Sequence, residues 1–140
     1  MNSKMIERLL SDEVNFQGVH SSDTLPMYPR LLVCNTDPST KPGNHWIAIH
    51  VNENGRGEYF DSFGRAPNEH FNRYMNTICD KWTFNAKQLQ SIASAFCGYY
   101  VVLYCKFKGR KLDMTKITSM FTSDTGFNDM LVHRLLCNKN

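Results

Sequence analysis

At 140 residues, with 41% hydrophobic and 12% aromatic side chains, the chain is long enough to bury one core without covalent staples. A net charge of +3 permits contact with nucleic acid or another polyanion but does not demand it. The longest apolar run, 96–107, includes Lys106 and falls short of the roughly 20 residues a membrane-spanning helix needs, and residues 1–7 have no apolar core of the signal-peptide kind. Five cysteines (34, 79, 97, 105 and 137) form an odd set without a CxxC pair. That pattern argues against a disulfide framework and a conventional zinc site, and for a reducing compartment.

No repeat, low-complexity tract or linker is visible, so residues 1–140 read as a single domain. Ser3 is placed to cap a short helix whose apolar face is Ile6, Leu9 and Leu10. Residues 12–30, broken by Gly18, Pro26 and Pro29, read as irregular. Residues 31–34 are strand-like, and 35–44 form a loop rich in proline and glycine. Residues 45–51 and 58–63 make two strands joined as a hairpin by the polar segment 52–57. The apolar residues Phe71, Tyr74, Met75 and Ile78 follow helical spacing within 68–79, and 82–84 suit a short strand. Residues 97–107 read as a buried helix, and 113–121 and 127–137 as two amphipathic helices. The expected class is α+β, with a small, mostly antiparallel central sheet flanked by helices.

Within that frame four residue types suit one chemistry. Cys97 stands just before Gly98 and an apolar helix, where free N–H groups and the helix dipole favour the thiolate. Gln90, seven residues earlier, offers an amide N–H to developing negative charge. His45 begins a strand directly after Pro42-Gly43, and Asp61 lies near the end of its hairpin partner. A hairpin turning at 54–55 sets positions 45 and 63 opposite each other, making His45 and Asp61 neighbours. A carboxylate beside an imidazole stabilises its protonated form, which in turn stabilises a nearby thiolate. Singly, each residue has a plainer role: a core cysteine, a strand-edge histidine, a turn-forming aspartate, a solvated glutamine. Acid, histidine, cysteine and amide donor together are what thiol-dependent acyl transfer requires.

The order His45-Trp46, then Phe60-Asp61-Ser62-Phe63-Gly64, then Gln90-x6-Cys97-Gly98 resembles the adenovirus endopeptidase (adenain) family, within the ubiquitin-like-protease clan. The stretch Val33-Cys34-Asn35-Thr36-Asp37 before Pro42-Gly43-Asn44-His45-Trp46, and the late Phe127-Asn128-Asp129, resemble more closely the proteases of Polinton/Maverick elements and adintoviruses. The likeness runs from about residue 18 to 132. It implies a cysteine endopeptidase with a papain-like site in permuted order: Cys97 as nucleophile, His45 as general base and Asp61 as orienting acid. Gln90 and the Cys97 N–H would make the oxyanion hole. Adenain has glutamate where Asp61 stands, while other members of the clan use aspartate. The substrates implied are viral capsid and core precursors, cut at small-residue, glycine-containing sites during particle maturation. The setting implied is the virion and the host-cell interior, without secretion.

The resemblance also implies activation by DNA or a capsid-derived peptide, with Cys79 at the interval of adenain's peptide-linked cysteine and Lys106, Lys108, Arg110 and Lys111 as a basic surface. Cys79 equally suits a buried helix end, and the basic cluster a solvated one. Trp46 and Gly98 are expected to wall the substrate groove. The histidines and cysteines share no ligand spacing, so no metal is expected, and the protein is read as a monomer away from membranes. Two other classes fit the residues: an isopeptidase for a ubiquitin-like modifier, and a non-catalytic nucleic-acid-binding module.

Overall fold

The computed structural model describes residues 1–37, 40 and 45–137, so the expected Pro42-Gly43 turn and most of the 35–44 loop lie outside the described residues. Five strands, β1 (Phe16–His20), β2 (Leu31–Asn35), β3 (Trp46–Val51), β4 (Arg56–Phe60) and β5 (Lys81–Phe84), form one sheet in sequence order. The helices are α1 (Ser3–Leu9), α2 (Glu69–Ile78), α3 (Cys97–Gly109), α4 (Met114–Thr118) and α5 (Thr125–Cys137).

β2, β3 and β4 are antiparallel neighbours, but both edge strands pair in parallel: β1 with β2, and β5 with β4 across the α2 crossover. The sheet is therefore mixed, with an antiparallel centre and parallel edges, in the expected α+β arrangement with flanking helices. β1 falls inside the stretch expected to be irregular, where Gly18, at φ +93°, accompanies a register shift between Phe16 and Val19. β4 stops at Phe60, three residues earlier than expected, and the expected 113–121 helix contracts to the single short α4.

The hairpin between β3 and β4 closes through Asn52, whose Oδ1 accepts from the N–H groups of Asn54 and Arg56, both at 2.9 Å. Gly55, at φ +75°, presses against Asp80, and a Cβ there would meet the Asp80 carboxylate.

Both faces of the sheet are covered. Leu31, Val33, Ala48 and Phe60 pack with α1, α3 and α5, while Leu32, Cys34, Ile47, Ile49 and Tyr59 pack with Phe71 and Met75 of α2. Burial on both faces explains why β2 is apolar throughout rather than alternating. Helix α3 lies against β3 and is apolar on nearly every side, with Tyr100–Cys105 all buried, as a helix at the centre of a core must be. Its first residue is Cys97, and no side chain caps its N-terminus. Among the described residues no helix is long and apolar enough to cross a membrane.

Candidate active site

The hairpin register runs Val51 opposite Gly57 through Ala48 opposite Phe60, which carries His45 and Asp61 to the same end of the sheet. There His45 Nε2 lies 2.7 Å from Asp61 Oδ1, with both side chains largely buried. Asp61 sits just past β4, where the chain turns so that Gly64 N–H donates to the Asp61 carbonyl at 2.8 Å. Gly64 has φ +72°, and a Cβ on it would come 2.7 Å from the Lys87 backbone, so only glycine suits this turn. The same carboxylate oxygen of Asp61 accepts from Phe63 N–H at 2.9 Å.

His45 also hydrogen-bonds the Cys97 thiol. Burial opposes a charge on the imidazole, but the hydrogen bonds to Asp61 and Cys97, and their charges, lift its pKa to about 9. Burial likewise opposes a thiolate at Cys97, yet the His45 hydrogen bond and the backbone N–H groups of Trp46 and Gly98 bring its pKa below the ordinary thiol value. A lowered thiol beside a raised imidazole favours a thiolate–imidazolium pair. Phe63 stacks on the imidazole at 4.8 Å, and the Arg65 guanidinium lies 4.8 Å over Phe63, fixing the ring plane.

Gln90 is fully buried and opens onto the same small cavity, about 270 Å³, that His45, Trp46, Phe63 and Cys97 line. Met1, Ser94 and Ala95 complete its wall. Trp46 is half-buried and donates its indole N–H to the Met1 carbonyl at 3.1 Å, so it packs and borders the cavity at once. Gly98 is buried against Met1, whose Cβ would stand 2.8 Å from a Cβ at residue 98. The chain before Gln90 is held at Leu89, whose carbonyl accepts from Asn128 at 3.0 Å and Tyr100 at 3.3 Å. The single Tyr100 hydroxyl proton is shared between that carbonyl and the Asp129 carboxylate, which lies nearer at 2.7 Å. These bonds give the 127–129 segment a physical role in holding the site.

Asn85 was not singled out from sequence. It is buried and clasps the Asp61 backbone reciprocally, accepting from the Asp61 N–H at 2.9 Å and donating to the Asp61 carbonyl at 2.6 Å. An asparagine before an unstructured-looking run carries no local signal for such a task.

The residues expected to bind an activator are not brought together with this cavity. Cys79 is the C-cap of α2 and only 9% exposed, its thiol pushed up by burial and by Asp80. The basic run lies at the opposite end of α3, roughly 18 Å from Cys97 at a helical rise of about 1.5 Å per residue. Lys108 there is 9% exposed and paired with Glu58 at 3.0 Å, while Lys106 is half-buried and Arg110 and Lys111 are exposed. Lys108 and Lys111 share a separate polar cleft with Arg30 and His50, bordered by Glu53 and Asp113. Among the described residues no group of three or more His, Cys, Asp or Glu could hold a metal ion.

Helices on both sides of a five-stranded mixed sheet make an α+β fold that is similar to that of a solved viral protease. The crystal structure of the ASFV pS273R protease matches 94% of this chain and 64% of that one, at a TM-score of 0.65 and 19% identity. A selenomethionine form of the same protease matches 75% of this chain and 44% of that one, at a TM-score of 0.55 and 26% identity. In sequence the chain is 27% identical over 113 residues to the cysteine protease S273R of African swine fever virus, isolate Tick/Malawi/Lil 20-1/1983. That alignment takes in 72% of this chain and 41% of the relative, so the aligned part spans about two fifths of the relative's length. No protein-family profile matches. The chain is thus similar, in sequence and in structure, to a named cysteine protease.

Proposed function

We propose that the chain is a viral or transposon-type cysteine endopeptidase that cuts capsid and core precursors at small-residue, glycine-containing sites during particle maturation. The observation that carries this reading is the line Asp61–His45–Cys97 with Gln90 in one cavity. In this reading the Cys97 thiolate attacks the scissile carbonyl carbon, and the carbonyl oxygen takes up the charge toward Gln90 and the Cys97 N–H. The imidazolium of His45 gives its proton to the departing amine, leaving a thioester. His45 then takes a proton from water, whose oxygen attacks the thioester and releases the acid and the thiolate. Asp61 holds the ring and steadies its charge.

The cavity beside Cys97 is small and walled by Trp46, Met1 and Phe63, which favours residues without bulky side chains next to the cut bond. The Polinton/adintovirus kinship rests on the motif around 33–46. So does the setting in the virion and host-cell interior. Action as a monomer, with modest stimulation by DNA, completes the proposal. The test is digestion of a peptide library and of the capsid and core proteins encoded beside this chain, with new termini read by mass spectrometry. Cleavage next to glycine or another small residue, abolished by Cys97→Ala in a folded protein, is the expected result. Equal cleavage by wild type and Cys97→Ala would end the cysteine-protease reading. Reaction only with ubiquitin-like tails would replace it by the isopeptidase one.

A further inference from the structure

The end of a glutamine side chain has nearly the same shape either way round, but one face accepts hydrogen bonds and the other donates them. Only the donor face can serve an oxyanion. Nothing in the backbone of Gln90 decides which face meets the cavity; its side-chain partners do, the Ser94 carbonyl because it can only accept and the Ser62 hydroxyl by anchoring the opposite end. Ser62 is fully buried, and its Oγ donates to Gln90 Oε1 at 2.5 Å. Its carbonyl accepts from the N–H groups of Leu89 at 2.9 Å and Gln90 at 3.0 Å, so side chain and backbone grip the same segment. With Oε1 claimed, Nε2 turns the other way, where it donates to the carbonyl of Ser94 at 3.0 Å and to its Oγ at 3.1 Å, on the wall of the cavity that Cys97 lines.

We infer that Ser62 is a positioning residue of the oxyanion hole, holding the Gln90 amide in place so that its N–H meets the charge that develops on the substrate. The inference rests on the oxyanion role given to Gln90 above and names what sets it. Without the hydroxyl, Oε1 loses its donor inside the protein, and the amide is anchored only at its Ser94 end. An amide held at one end presents its N–H less well to the developing negative charge, which weakens stabilisation of the transition state and leaves the ground state nearly untouched.

The test is a double-mutant cycle on Ser62→Ala and Gln90→Ala, reading kcat, KM, thermal unfolding and the rate of Cys97 alkylation by iodoacetamide. Alkylation needs the thiolate but builds no oxyanion, so it separates this role from damage to the Cys97–His45 pair. The expected result is a fall in kcat of about tenfold for Ser62→Ala, with KM within about twofold and alkylation unchanged. The double variant matches Gln90→Ala, because the two residues act through one amide. Should Ser62→Ala unfold, Ser62→Cys keeps the size with a much poorer donor, and a reduced kcat is expected there too. A folded Ser62 variant with wild-type kcat, or losses that multiply in the double variant, overturns the role of Ser62 alone. A wild type that alkylates but hydrolyses nothing rejects the protease reading, and the Ser62 role with it.

Discussion

At the scale of single residues, the Cys97–His45 pair sets the pH behaviour. The imidazole titrates at about 9 and the thiol below its ordinary value, so the ion pair exists between those two points. Hydrolysis is expected to fall as pH rises through about 9, when the imidazolium loses the proton it must give to the leaving amine. Asp61→Asn removes a hydrogen bond and a charge that raise the His45 pKa, so the alkaline limb should move to lower pH. A kcat/KM profile measured on both proteins checks this, and an unmoved limb speaks against Asp61 as the orienting acid. His45→Ala should cost nearly as much as Cys97→Ala, and Gln90→Ala should lower kcat by about 10²-fold, as loss of one oxyanion donor does. A rise in KM alone would make Gln90 a substrate contact. The sequence disclosed Cys97, His45, Asp61 and Gln90 because each is a chemically reactive type in a suitable local setting. Asn85 and Ser62 were silent, since their partners lie 24 and 28 positions away and they are ordinary residues wherever they stand.

Among the elements, the hairpin was legible because its signals are local: two apolar runs, a polar connection containing Gly55, and a register that follows from the turn. The parallel pairings were not, because each depends on a strand returning over a crossover that no local pattern encodes. β1 is the clearest loss: only five residues long, interrupted by Gly18 and half-buried at most positions, it gains its form from β2 rather than from itself. Turn glycines supply the test at this scale. Gly64→Ala must accept a left-handed φ and a clash with the Lys87 backbone, so it should destabilise the fold by at least about 1 kcal/mol and lower activity through Asp61. Gly55→Ala should cost similar stability but spare kcat in the protein that remains folded, because that turn is at the far end of the hairpin. Denaturant unfolding with activity normalised to folded protein separates the two, and equal loss of kcat in both would deny the link between the Gly64 turn and the acid.

For the whole molecule, charge is modest and partly committed. Of the basic run after the central helix, Lys108 is already paired with Glu58, so any stimulation by duplex DNA should be weak and vanish by about 0.2 M salt. Stimulation that persists at higher salt would point to something other than phosphate contacts. The order of the chain through the sheet has a consequence in time. His45 and Asp61 are 16 positions apart and meet by closing one hairpin, whereas Cys97 lies 52 positions beyond His45 and arrives only when α3 docks across β3. Short closures cost less entropy than long ones and form sooner. The base and its acid are therefore expected to meet before the nucleophile docks, with Cys97 an ordinary thiol in the states that come first. In reductant, refolding followed by pulses of iodoacetamide should show fast native-like alkylation emerging only with the final step.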